Sequence, residues 1–138
     1  MLDALTRVAE WVWITGNHDE GLGGKLRGCV VSEIEVSGVT MRHEAGAGEQ
    51  GPEISGHFHP KLRLRVRERH IVRPCAVVAQ GTSDGSGRMI LPAFGAYTGG
   101  MDAGDPAIRA ALQPAQTITA VLPAKDRLVQ FPLWRAAA

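Results

Sequence analysis

Trp11-Val12-Trp13-Ile14-Thr15-Gly16-Asn17-His18-Asp19 is the stretch on which the fold turns. Its first five residues are short and apolar on both faces, the pattern of a central buried strand rather than a half-exposed one. The run stops at Gly16. Asn17, His18 and Asp19 then place an amide oxygen, an imidazole and a carboxylate at the strand's end. A second short run, Ile54-Ser55, feeds Gly56-His57-Phe58-His59 in the same manner. Four of the five histidines (His18, His43, His57 and His59) fall in or between these two motifs. A buried strand that ends at a glycine and then presents nitrogen and oxygen ligands suits a metal site in an α/β fold.

On the N-terminal side, Leu2, Leu5 and Val8 or Ala9 recur at helical spacing, opposite Asp3, Arg7 and Glu10, and predict an amphipathic helix. Downstream, residues 20–25 are glycine-rich and read as a loop. Residues 29–36 alternate apolar and polar, Ser37-Gly38 is a turn signal, and residues 39–43 resume the extended pattern. This predicts a hairpin with His43 at its far end. Leu62, Leu64 and Val66 alternate with Arg63, Arg65 and Arg67, a half-buried strand with a basic outer face. Further strands are expected at 71–72, 75–79, 89–91, 117–122 and 128–131, and a loose tail from Trp134 onward. Asp105-Pro106 marks a capped start for one short helix over 106–112. The chain is therefore strand-rich with few helices, an α/β (α+β) pattern.

The 138 residues fit a single domain, 44% hydrophobic and 21% charged, with a net charge of +1 that gives no global pull toward nucleic acid or membrane. Two cysteines, Cys29 and Cys75, without a C-x-x-C spacing, read as small core residues of a reducing compartment. No apolar stretch approaches the roughly 20 residues that span a bilayer. A cytoplasmic protein without membrane contact is the expectation.

The ligand set points to phosphate ester hydrolysis. A phosphodiester repels an attacking hydroxide, and a pair of divalent cations relieves this by supplying hydroxide and neutralising developing charge. Asn17, His43, His57 and His59 are ligands of the required kind. His18 follows Asn17 directly and so points away from an ion that Asn17 would bind, a direction suited to an acid that protonates the departing alkoxide. Asp19 beside it would hold the imidazolium in orientation.

These motifs resemble the C-terminal half of the calcineurin-like metallophosphoesterases: Gly-Asn-His-Asp (16–19), a later histidine, then Gly-His-x-His (56–59). WVWITGNHD (11–19), Arg42-His43-Glu44, GHFHPK (56–61), Arg73-Pro74-Cys75 and LPAFGAYTGGMD (91–102) are similar to the ligase-associated DNA damage response endonucleases of the PdeM type. The resemblance implies a four-layer α/β/β/α sandwich and two divalent ions, manganese by preference. One ion would be held by Asn17, His43 and His57 and the other by His59, with His18 and Asp19 as the acid and its partner. It also implies a phosphodiester or nucleic-acid substrate and a repair setting shared with a DNA ligase and a helicase.

The family's opening Asp-x-His and Gly-Asp motifs have no counterpart before Asn17. The chain thus reads as the C-terminal part of a longer domain or as a start placed too late, and hydrolysis by it alone is expected to be weak or absent. The alternative is a non-catalytic interaction or DNA-binding module that keeps the fold. Other residues carry plainer alternatives. His43 suits the exposed end of any hairpin, and a Gly-Asn pair alone is turn chemistry. His70 reads as a polar strand residue. The arginine face of 63–67 suits either a phosphate backbone or a solvated edge that resists aggregation.

Overall fold

Seven strands build one mixed sheet, in the spatial order 127–135, 117–124, 76–80, 88–90, 53–55, 39–42 and 33–36, and two further pairs, 12–14 with 29–31 and 61–66 with 69–74, stand apart from it. The computed structural model describes residues 7–17, 27–48, 51–81, 85–95 and 97–137. Along the chain these give β1 (Val12–Ile14), β2 (Cys29–Val31), β3 (Glu33–Val36), β4 (Val39–Arg42), β5 (Glu53–Ser55) and β6 (Lys61–Val66). They continue with β7 (Arg69–Pro74), β8 (Ala76–Gln80), β9 (Arg88–Ile90), one short helix α1 (Pro106–Ala111), β10 (Thr117–Ala124) and β11 (Arg127–Arg135). The fold is a mostly-β α+β arrangement, as the strand-rich sequence implies. No helix among the described residues is long and apolar enough to cross a membrane.

The core forms where period-two strands meet the helix. Val77 and Ala79 of β8, Ile90 of β9, and Ile118 and Ala120 of β10 are fully or almost fully buried in one cluster with Ile108 and Leu112 from α1 and its C-terminus. Side chains two apart on a strand share a face, so β8 and β10 each commit every second residue to this cluster. Asp105 starts the helix: its carboxylate accepts the Ala107 N–H at 2.8 Å, and Pro106 occupies the first turn, where its missing N–H is not needed.

Several expectations are corrected. Residues 29–36 do not form one strand: the run breaks at Ser32, and β2 pairs with β1 in parallel while β3 pairs with β4 in the large sheet. Residues 12–14 are half-buried rather than central, because among the described residues β2 is the sole neighbouring strand. Cys29, expected in the core, is exposed on β2, whereas Cys75 is buried as expected. Val8 and Ala9, assigned to a helix, lie exposed in a turn, and residues 1–6 of that helix lie outside the described residues. Trp134 belongs to β11 instead of a loose tail, paired with Ile118 of β10.

Candidate metal centre

The parallel pairing of β4 with β5 matches Thr40 to Glu53 and Met41 to Ile54, so both strands run out at the same edge of the sheet. At that edge β4 leads into His43 and β5 into Gly56-His57. The pairing extends one step beyond the strands, since the Gly56 N–H donates to the His43 carbonyl at 2.8 Å. After Gly56 the chain leaves the extended conformation: His57 and His59 both have left-handed backbones, with φ of 66° and 49°. Such angles are costly for non-glycine residues, by about 1–3 kcal/mol each, and persist where surrounding structure holds them. Phe58 supplies part of that hold by packing against the core cluster between the two histidines.

The imidazole of His43 joins the motifs. Its Nε2 lies 3.0 Å from Oδ1 of Asn17 and 3.1 Å from Nδ1 of His57. The His43 and His57 rings meet edge-to-face, with centroids 5.1 Å apart. Three donor atoms from three separate segments thus converge within hydrogen-bonding distance. The remaining nitrogen of His57, Nε2, faces the Glu44 carboxylate at 3.8 Å. That distance makes Glu44 an ion-pair neighbour and not a hydrogen-bond partner of the ring.

His59 lies apart from this trio. It shares with His57, Phe58, Gly100 and Met101 an open cleft of about 390 Å³. The cleft's far wall is stitched to the histidine turn by the backbone. Met101 N–H donates to the Phe58 carbonyl at 3.2 Å, Lys61 N–H to Met101 at 2.9 Å, and Ala103 N–H to Lys61 at 2.9 Å. The Lys61 amine reaches the Thr98 carbonyl at 2.8 Å. Gly100 is required at this seam, because a Cβ there would collide with the His59 carbonyl oxygen. Residues 58–61 and 98–103 are therefore one structural unit.

A buried ion pair supports the site from below. Arg88 and Glu53 are 1% and 4% exposed and lie 3.0 Å apart. Glu53 also accepts the Gly46 N–H at 3.1 Å and faces Arg42 at 3.4 Å. Arg88 also donates to the carbonyls of Gly46 and Gln113. The pair thus ties the loop after His43 to two sheet strands and to the end of α1.

Of the residues expected to act, Asn17, His43 and His57 meet, and His59 lines the adjoining cleft. His18 and Asp19 lie outside the described residues. The donor chemistry of the trio fits a divalent cation: two imidazole nitrogens and an amide oxygen, neighbours at about 3 Å, the spacing of adjacent donors around one ion with bonds near 2.1 Å. Among the described residues no three His, Cys, Asp or Glu side chains cluster to hold an ion, so the trio depends on the asparagine amide. Glu44 and Gly16 stand in the quoted motifs, but the sequence assigned neither a part in the site. Glu44 was visible as the residue after His43, and Gly16 as the stop of the first strand.

No protein-family model matches the chain, and no curated protein does. Among solved structures, the chain is similar to the crystal structure of Pseudomonas putida nuclease MPE, with 26% sequence identity and a TM-score of 0.58 over 93% of this chain. That match takes in 57% of the nuclease, so the chain spans little more than half of its length. The fold is nuclease-like.

Proposed function

We propose that the chain is the metal-binding part of a metal-dependent phosphodiesterase or nuclease, of the calcineurin-like, ligase-associated type that its motifs resemble. The observation that carries this reading is the meeting of Asn17 Oδ1, His43 Nε2 and His57 Nδ1 at 3.0 and 3.1 Å. The likeness to a nuclease supports it independently. Asn17, His43 and His57 would hold one divalent ion, manganese by preference, and His59 contributes to a second from across the cleft. When bound, such ions neutralise phosphoryl charge and make water a stronger acid.

The chain's own groups supply the rest. Glu44 orients His57, the cleft beside His59 admits the diester, and His18 protonates the leaving oxygen with Asp19 as its partner. This chain offers a single matched ligand, His59, for the second ion, and its hydrolysis rate alone is expected to be low. The nucleic-acid substrate, the repair setting with a ligase and a helicase, and a cytoplasmic location belong to the same proposal.

Titration with Mn²⁺ followed by calorimetry, together with hydrolysis of bis(p-nitrophenyl) phosphate, tests it. One ion per chain should bind, and His43→Ala and His57→Ala should each weaken binding by at least about tenfold. Variants that bind Mn²⁺ as the parent does would remove the basis of the reading.

A further inference from the structure

We infer that the β6–β7 ribbon is a nucleic-acid-binding arm that lies along the phosphate backbone of a duplex beside the histidine cleft. The inference deepens the proposed function by naming the surface on which the nucleic acid would lie. It rests on that reading only for the direction in which the duplex leads, toward His57 and His59.

The charge is unevenly placed. Residues 61–74 hold Lys61, five arginines and one acid, Glu68, a formal +5 in a chain whose total is +1, which leaves −4 for the rest. That density sits on a two-stranded antiparallel sheet separate from the seven-stranded one. The ribbon grows directly out of the histidine turn, since β6 begins at Lys61, two residues after His59. Its base is anchored: Leu62 is buried in the core cluster and Leu64 packs against it. Its outer end is not: Val66, on the last rung before the turn, is exposed with arginines around it.

The pairing of Arg65 with His70 and of Val66 with Arg69 puts cationic groups on both faces of the ribbon, with Arg67 at its tip. A ribbon lying in a groove needs this distribution, because phosphates then run along both of its sides, and a major groove about 12 Å wide admits two strands. Alternate strand residues such as Arg63 and Arg65 repeat at about 6.8 Å, twice the 3.4 Å axial rise of phosphates on one DNA strand. Open grooves of about 400 Å³ beside Arg63, Arg65 and His70, and about 690 Å³ beside Arg67 and Arg69, leave room for the sugar-phosphate chain. Arg63 faces Asp102 at 3.5 Å, which links the ribbon to the cleft wall. Among the described residues Arg65, Arg67 and Arg69 have no acidic partner, so their charge is available to a ligand. Arg67 and Glu68 both have left-handed backbones, φ 46° and 65°, in a two-residue turn where glycine or asparagine would sit without strain. The turn sets Arg67 beyond the last paired rung of the ribbon.

Fluorescence anisotropy with a labelled 20-base-pair DNA duplex tests the arm, in EDTA so that metal plays no part. The parent should bind with an affinity that falls steeply with salt. The variant Arg65→Glu/Arg67→Glu/Arg69→Glu should lose at least about tenfold and show a salt slope lower by about 2–3, near 0.9 per phosphate contact removed. Replacing the same three residues by lysine should stay within a few-fold of the parent. Arg127→Glu/Arg135→Glu on β11, an edge strand of the large sheet outside the ribbon, should bind as the parent does. Circular dichroism checks that each variant is folded. Parent-like binding by the triple glutamate variant, equal loss in the β11 control, or equal capture of polyglutamate would overturn the arm. His43→Ala distinguishes this from the metal site: it should lose Mn²⁺ while keeping the duplex.

Discussion

Gly16 forms the floor beneath the imidazole of His43: a Cβ added to it would lie 2.5 Å from both Cε1 and Nδ1 of the ring. The glycine that ends the first apolar run is thus a steric requirement of the site. It lets the ring settle where Nε2 reaches Asn17 and His57. Gly16→Ala should push the ring away and weaken Mn²⁺ binding by about tenfold or more. The overpacking should also lower stability by about 1–3 kcal/mol. Calorimetric titration and thermal unfolding of the same variant measure both, and unchanged metal affinity would show that the ring's seat is immaterial.

Glu44 should act through His57. It is largely exposed and approaches His57 Nε2 at 3.8 Å, so the pair contributes little to stability. By closing on Nε2–H when His57 holds an ion, the carboxylate would fix the orientation of the ring. Glu44→Gln should therefore unfold at the same urea concentration as the parent yet bind Mn²⁺ about 10–100-fold more weakly. A stability loss without an affinity loss would reverse that assignment.

What the sequence made legible was local. The two glycine-ended motifs, the helix after Asp105 and the alternation in residues 62–66 all come from neighbouring residues, and each matches an element or turn of the structure. What it hid was sheet membership. Residues 29–36 read as one extended run, yet Ser32 divides them between two sheets, since an extended pattern reports a face and not a partner. Arg88 shows the same limit in the core. A lone arginine reads as exposed, and only the pairing of β5 with β9, Glu53 opposite Arg88, explains its burial. For the site, motif spacing brought out Asn17, His43 and His57, but the ring-to-glycine seat depends on strand ends far apart along the chain.

The Arg88–Glu53 pair should be costly to break and cheaper to remove whole. Arg88→Met leaves a buried carboxylate without its main cation and strips a donor from the carbonyls of Gly46 and Gln113. A loss of about 3–5 kcal/mol is expected in urea unfolding. Arg88→Met/Glu53→Leu removes both charges and should be less destabilised than the single variant. Because the pair holds Gly46, three residues beyond His43, the single variant should also weaken Mn²⁺ binding.

Cys75 and Cys29 should separate cleanly in reactivity and in pH dependence. Burial against the core pushes the Cys75 thiol from its ordinary value near 9 up to about 11. A backbone hydrogen bond from Leu62 works against the rise, and negative charge on Asp102 adds to it. A thiol reagent at pH 8 should therefore modify the exposed Cys29 quickly and Cys75 only as the protein opens. The raised value also sets a sign for stability. Between pH 9 and 11 the folded chain keeps a proton that the unfolded chain has released, so stability is full below pH 9 and falls as pH rises toward 11. A shift of two units corresponds to about 2–3 kcal/mol across that window. Cys75→Ala should start lower, from its lost packing, but should lose less stability between pH 8 and 11 than the parent. Parallel pH profiles for the two proteins would mean that the alkaline loss comes from other groups.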